Sequence, residues 1–432
     1  MTPGGHRISR RSLGVAALST VVEWYDFTLY LYFATVLSRV FFGGGASSLA
    51  TTLLGFALAY LMRPVGAVVF GHIADRHGRR PMLLISMAVM SVAMLLTALL
   101  PTYGQVGAAA GWLLLLLRCV MGFSVGGEYT GVIAYLLEGS DPKRRGFIAS
   151  LAAAASEVGA LLAVAVSALT VSLMSEPDLA SWGWRIPFVV GAALAGTVWL
   201  ARSTMEESPD FERLRTEGAL HDRPLSHALA TQRGALARAF AISSFGSITY
   251  YVGISYVPAF LTSVGAMGEG DALWLSTIAA VVVIAVTPVV GLLSDKYGRK
   301  PALIVLALLG AALPIALFST MAGASVGHAL LGAVVLALVA GGVSAVGAIA
   351  TGEQFDETSR ASGLGVGYTL ATVIFGGLTP YVAQVLVERT GAPSVPGVMI
   401  AAVAIAVLPV FVLMHETAPR QVGRFALGNK RN

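Results

Sequence analysis

Two stretches of this chain run without a formal charge for longer than any single helix needs. Residues 301–352 hold 52 consecutive positions free of Lys, Arg, Asp and Glu, and residues 81–117 hold 37. A helix crosses the hydrocarbon core of a bilayer in about 20 residues, with its backbone polar groups satisfied internally. Each stretch therefore predicts two spans, the first pair joined at the Pro101–Thr102–Tyr103–Gly104 turn and the second broken near residues 321–327. Single spans are expected near 13–40, 48–70, 146–174 and 184–202, and again near 239–263, 272–293, 361–387 and 396–414, making twelve. Only 12% of the 432 residues are charged, against about a quarter in soluble domains. A soluble enzyme or a nucleic-acid binder is thereby excluded, and the class is an all-α polytopic membrane protein that is not an enzyme. The one cysteine, Cys119, has no intramolecular partner.

Basic residues set the expected orientation, because cytoplasmic loops carry the excess of Lys and Arg. Arg76, Arg79 and Arg80 follow the second span, Lys143, Arg144 and Arg145 the fourth, and Lys296, Arg299 and Lys300 the eighth. The alternate loops hold only Arg39, Arg185 and Arg389. Both termini are expected to be cytoplasmic. The basic-then-apolar start resembles a signal peptide, but Glu23 and Asp26 interrupt it, so it is read as an uncleaved first span. The most polar stretch, 203–237, divides the chain into a six-helix bundle at 1–202 and another at 238–432, with a cytoplasmic loop between them.

The halves repeat each other. Gly71-His-Ile-Ala-Asp75-Arg-His-Gly78-Arg79-Arg80-Pro81 matches Gly291-Leu-Leu-Ser-Asp295-Lys-Tyr-Gly298-Arg299-Lys300-Pro301 at an offset of 220 residues. Glu138-x-x-Asp141-x-x-x-Arg145 recurs as Glu353-x-x-Asp356-x-x-x-Arg360 at an offset of 215. Two parallel repeats of this size place a transport site between them near the middle of the membrane. The loop from Gly71 to Arg80 and its copy resemble the signature of the major facilitator superfamily. Val22-Glu23-Trp24-Tyr25-Asp26-Phe27, Arg63-Pro64, Gly126-Gly127-Glu128-Tyr129 and Trp182-Gly183-Trp184-Arg185-Ile186-Pro187-Phe188 resemble its metabolite:proton symporters. These include permeases for proline and betaine, α-ketoglutarate, citrate and shikimate. The resemblance implies the major facilitator fold, twelve transmembrane helices in two pseudo-symmetric bundles, in a bacterial inner membrane. Met121 departs from it, standing where the family usually has glutamine.

Six ionisable residues fall inside predicted spans: Glu23, Asp26, Arg63, Arg118, Glu128 and Glu157. At about 2.5 to 3.5 kcal/mol each at a helix centre, they cost roughly 15 to 20 kcal/mol before pairing or hydration, which points to a transport role for at least one. All lie in the first half. Proton handling is therefore expected in the first, second, fourth and fifth spans, with neutral contacts from the seventh, eighth, tenth and eleventh. Glu23 and Asp26 share a helical face, which Tyr30 extends. Two carboxylates one turn apart do not both ionise easily, so either suits a proton carrier, unless Glu23 is held permanently by an arginine. Arg118 and Glu128 lie about 15 Å apart along one helix and cannot pair, so Arg118 needs Asp26 or Glu23. Symporters resembling this chain often link these positions, which implies that proton uptake frees the arginine for a substrate carboxylate. Arg63 is a competing anion ligand or a helix-end anchor; Glu157 is an auxiliary proton site or a hydrogen-bonding partner.

Tyr250, Tyr251 and Tyr256 are expected either to line the cavity from the second half or to serve packing and the membrane interface. Asp75, Arg79, Glu138 and Arg145, with Asp295, Arg299, Glu353 and Arg360, are expected to form a cytoplasmic gate as well as to enforce topology. No Gly-x-x-x-x-Gly-Lys-Ser/Thr segment occurs, so an ion gradient is favoured over ATP. No cofactor or metal is expected. The expected function is proton-coupled uptake of a small carboxylate or zwitterion by alternating access, the chain acting as a monomer without nucleic-acid partners. The rival is a proton-driven exporter of a metabolite, siderophore or drug. The absence of proline between residues 152 and 169 favours symport.

Overall fold

A computed structural model describes residues 10–45, 47–77, 79–126, 145–203, 232–265, 267–323, 325–355 and 360–418. No strand occurs among them. Each of the twelve expected segments is helical over its described residues. In the first half α1 covers Arg10–Tyr32 and, past an irregularity at Phe33, Ala34–Phe42; α2 is Ser48–His77, α3 Arg79–Ala98, α4 Ala109–Val125, α5 Arg145–Leu173 and α6 Ile186–Ser203. In the second, α7 begins at Arg233–Tyr250 and ends in Val257–Ser263; α8 is Glu269–Tyr297, α10 Val326–Gly352 and α12 Val395–Leu413. Between them α9 joins Arg299–Ala312 to Pro314–Met321 through a 41° bend, and α11 joins Arg360–Thr372 to Thr379–Thr390. Eight described helices are long and apolar enough to cross a membrane, or nine if the bent pair is one span. The helix of α7 starts inside the stretch expected to be loop.

Prolines explain the breaks in the second half. Pro258 and Pro380 open the last helices of α7 and α11. Lacking N–H, each leaves the carbonyl four residues upstream without its helical donor. The chain answers by widening into a π turn, Tyr251–Ser255 in α7 and Val373–Gly377 in α11. Its i+5 bonds run from Tyr256 N to Tyr251 O and from Leu378 N to Val373 O.

Helix pairing restates the repeat in three dimensions. In the first half α1 packs on α5, α2 on α4 and α3 on α6; in the second α7 packs on α11, α8 on α10 and α9 on α12. The halves join where α5 meets α8 and α2 meets α11. Glycines set the closest approaches of the first half: a methyl group at Gly122 of α4 would overlap the carbonyl of Ala59 on α2, and one at Gly159 of α5 the carbonyl of Val21 on α1. Large apolar side chains such as Leu99, Trp112, Leu173 and Leu413 stand exposed on the outside, as lipid contact requires.

The Trp182 to Phe188 motif acts as a structural clasp. Trp184 is fully buried edge-on against Phe41 and Phe188. The Tyr25 hydroxyl donates to the Pro187 carbonyl at 2.7 Å, tying α1 to the start of α6.

Candidate functional site

Three residues apart on α1, Glu23 and Asp26 are both buried, 3% and 4% exposed. They face different arginines. Asp26 Oδ1 lies 3.2 Å from Arg118 Nη1 on α4, and Glu23 Oε1 lies 3.8 Å from Arg63 Nη2 on α2. Of the two acids open to Arg118, geometry selects Asp26. Aromatic faces surround the cations: Arg63 lies 4.3 Å from the Phe27 ring centroid and 4.6 Å from that of Tyr60, and Arg118 lies 5.5 Å from Tyr30. Such contacts offset part of the desolvation cost. The Tyr30 hydroxyl donates to the Thr52 carbonyl at 2.9 Å, leaving its ring toward Arg118. Nε and Nη2 of Arg118 have no hydrogen-bond partner.

Both ion pairs border a cavity of about 370 Å³ inside the first half, lined by Asp26, Tyr30, Tyr60, Arg63 and Arg118 among others. A larger cavity of about 820 Å³ lies between the halves, lined by α1, α5, α7, α10 and α11. Among the described residues Arg63 and Arg118 line the smaller cavity and not the larger, each facing a carboxylate of α1. One expectation is corrected here: α8 does not contribute to the described wall of the larger cavity, being packed against α5 and α10. Among the described lining residues, Glu157 is the one acid and there is no Lys or Arg. The Tyr250 hydroxyl donates to it at 3.1 Å.

The cavities meet at Tyr60 and Tyr251, whose hydroxyls are 3.1 Å apart across the two halves. Gly376 and Gly377, in the π turn of α11, seat these rings; a methyl at either would overlap Tyr251 or Tyr60. Of the three tyrosines expected in the wall, Tyr250 and Tyr251 are there and Tyr256 is not. Tyr256 follows the π turn, which rotates it away, and its hydroxyl donates to Gln384 at 2.7 Å.

At the end bearing the repeated loops, Asp295 accepts from the Gly146 and Phe147 amides at 3.1 and 2.9 Å, where α5 begins. A carboxylate is well placed at a helix N-terminus. Arg299 lies 2.8 Å from Asp295 and 3.4 Å from Glu353. Glu416, past α12, accepts from the amides of Arg299 and Lys300 at 2.9 and 3.1 Å, and Thr417 donates to Glu353 at 2.6 Å. At the opposite end Arg39 and Glu269 form a bidentate pair, its second contact at 2.9 Å, and Trp274 donates to Ser172 at 3.1 Å. Glu128 and Glu138 lie outside the described residues, as do the side chains of Asp75, Arg79, Arg145 and Arg360.

Sequence reasoning missed Tyr60, Ser243 and Glu416. Tyr60 stands one turn before Arg63, a visible signal. Ser243 is one serine among many, and Glu416 had only its place just past the last span.

Residues 13–226 match the family described as sugar (and other) transporter, and residues 245–429 match the major facilitator superfamily. The chain is 35% identical over 373 residues to an alpha-ketoglutarate permease of Escherichia coli, covering 85% of each. It is 31% identical over 423 residues to a proline/betaine transporter of Salmonella typhimurium, covering 95% of this chain and 84% of the relative. A citrate-proton symporter of Klebsiella pneumoniae is 30% identical over 399 residues, with 92% and 89% covered. The fold matches that of the xylose transporter XylE from E. coli in a partially occluded inward open conformation. The TM-score is 0.74 at 22% identity, over 94% of this chain and 98% of the other.

Proposed function

The chain belongs to the major facilitator superfamily, and from that premise we propose that it is a proton-coupled symporter taking up a small organic carboxylate or zwitterion by alternating access. It is a transporter and an integral membrane protein. The observation that carries the finer reading is the pair of buried ion pairs, Asp26–Arg118 and Glu23–Arg63, set within the first half beside the cavity between the halves. A proton on Asp26 removes the charge that holds Arg118. That arginine, two of whose nitrogens already lack a hydrogen-bond partner among the described residues, is then available to an anionic substrate group or to a rearranged partner. Proton and substrate thus stabilise the same loaded state, the thermodynamic requirement of symport.

Alternating access needs contacts that break on one side while they hold on the other. Asp295 with the start of α5 supplies them at one end and Arg39–Glu269 at the other. Bundles at 1–202 and 238–432 are the moving bodies in this reading, with both termini cytoplasmic in a bacterial inner membrane. The protein works as a monomer, and the proton gradient is the sole driving force. Names of the relatives support the substrate range: alpha-ketoglutarate, proline and betaine, and citrate with protons.

The test is uptake into proteoliposomes of labelled proline, betaine, 2-oxoglutarate, citrate and shikimate under an imposed pH gradient. At least one is expected to accumulate above equilibrium, and to cease doing so when the gradient is collapsed. Accumulation indifferent to the gradient sinks proton coupling. Net extrusion replaces uptake with export.

A further inference from the structure

We infer that Glu157 holds the cationic group of the substrate in a corner formed by the rings of Trp24 and Tyr250, so that the transported molecule is a zwitterion bearing an ammonium group rather than a di- or tricarboxylate. This rests on the transport reading and narrows its substrate class.

Glu157 is 3% exposed and lines the larger cavity. No basic side chain among the described residues lies within ion-pair distance of it, and the Tyr250 hydroxyl donates to it. The other buried acids among the described residues, Glu23, Asp26 and Asp295, each lie beside an arginine. A lone carboxylate away from water is costly unless a cation or a proton relieves it. The walls beside it suit a cation. Trp24 and Tyr250 meet at 86° with centroids 5.3 Å apart, and Tyr251 stands against Tyr250 at 78° and 5.5 Å. The rings of Trp24 and Tyr250 thus lie close to the Glu157 carboxylate on the wall of one cavity, and aromatic surface together with negative charge is the combination that binds ammonium groups.

Among the described residues that line the same cavity there is no Lys or Arg. Its second-half wall offers Ser243, Ser247, Ser344 and Thr372. The Ser243 hydroxyl is buried, 7% exposed, and has no hydrogen-bond partner. Hydroxyls of this kind suffice for one carboxylate of a small zwitterion. A dicarboxylate would bring two negative charges beside Glu157 with no Lys or Arg among the described lining residues to receive them, in a poorly polarisable setting where such repulsion is strong.

The experiment compares trimethylammonioacetate with its carbon isostere, 3,3-dimethylbutanoate, which has the same shape and carboxylate but no positive charge. Binding is measured by titration calorimetry on the full-length protein in nanodiscs, with 2-oxoglutarate as a third probe. The ammonium compound is expected to bind about tenfold or more tightly than the isostere. Glu157→Gln is expected to bring the two within about twofold, and Trp24→Leu to erase part of the gap, while Tyr250→Phe, which keeps the ring, preserves most of it. Should Glu157→Gln fail to fold, the wild-type preference and the Trp24 variant decide. The inference is overturned if the wild type binds the isostere or 2-oxoglutarate as well as the ammonium compound, if it binds no ammonium probe at millimolar concentration, or if a folded Glu157→Gln keeps the preference. Gradient-driven uptake of a dicarboxylate without ammonium preference sinks this inference and leaves the transport reading standing. Ammonium preference with uptake indifferent to the gradient does the reverse.

Discussion

The halves of this transporter share a topology but hold it together differently. In the first, buried charges pair across helices, Asp26 with Arg118 and Glu23 with Arg63, and backbones touch at Gly122 and Gly159. In the second, the membrane-buried wall is neutral, and α7 and α11 are each widened by a π turn ahead of a proline. One half stores charge in mostly continuous helices; the other meets it through hydroxyls and rings on helices with built-in joints. Function has diverged on a repeated frame because the frame depends on which helices pair, whereas the chemistry depends on a few side chains that pairing leaves free to differ.

The largest expected effect strikes the first half. Asp26→Asn should abolish gradient-driven accumulation in proteoliposomes and spare exchange; full active uptake by that variant would reject Asp26 as the coupling site. Arg118→Ala, which strands a buried carboxylate, is expected to cost ~3–5 kcal/mol of stability, read as early unfolding in detergent. A structural contrast comes next. Gly122→Ala must push two backbones apart, costing ~1–3 kcal/mol, whereas a methyl at Gly341 of α10 lies 3.3 Å from α8 and needs only a small adjustment. Equal losses of melting temperature for the two would break the contrast in packing.

Smaller effects probe the boundary. Tyr60→Phe and Tyr251→Phe each remove one cross-half hydrogen bond worth about 0.5–1.5 kcal/mol, shifting exchange rates a few-fold. Because the bond is shared, the double variant should be little worse than either single, and additive losses would show that the hydroxyls act separately. Least of all, Arg39→Gln breaks a solvent-exposed pair worth about 1 kcal/mol or less, and its effect on exchange should fade in high salt. An effect that persists in salt would mean the contact is not electrostatic.

Much of the fold was legible because length, apolarity and the positions of Arg and Lys are direct consequences of a bilayer. The helix pairs follow from the repeat at Asp75 and Asp295. Individual side chains on the cavity walls were legible where a charge stood out, as at Asp26, Arg63, Arg118 and Glu157, or where a tyrosine fell inside a span, as at Tyr30, Tyr250 and Tyr251. Which acid meets which arginine was not, since that depends on helix rotation, to which spacing along one chain is blind. Whether Tyr256 lines the cavity or serves packing was left open by the sequence, because the widened turn before it changes the angular count.

Glu416 bears on the order in which the molecule can be completed. It caps the start of α9 from 117 residues downstream, and Thr417 beside it reaches Glu353. During synthesis the amides of Arg299 and Lys300 emerge long before their acceptor exists. Asp295, Arg299 and Glu353 can meet before then, but the cap on α9 and the Thr417 contact that complete their cluster form only after α12 has been made. Until then water or a transient partner must satisfy that helix end.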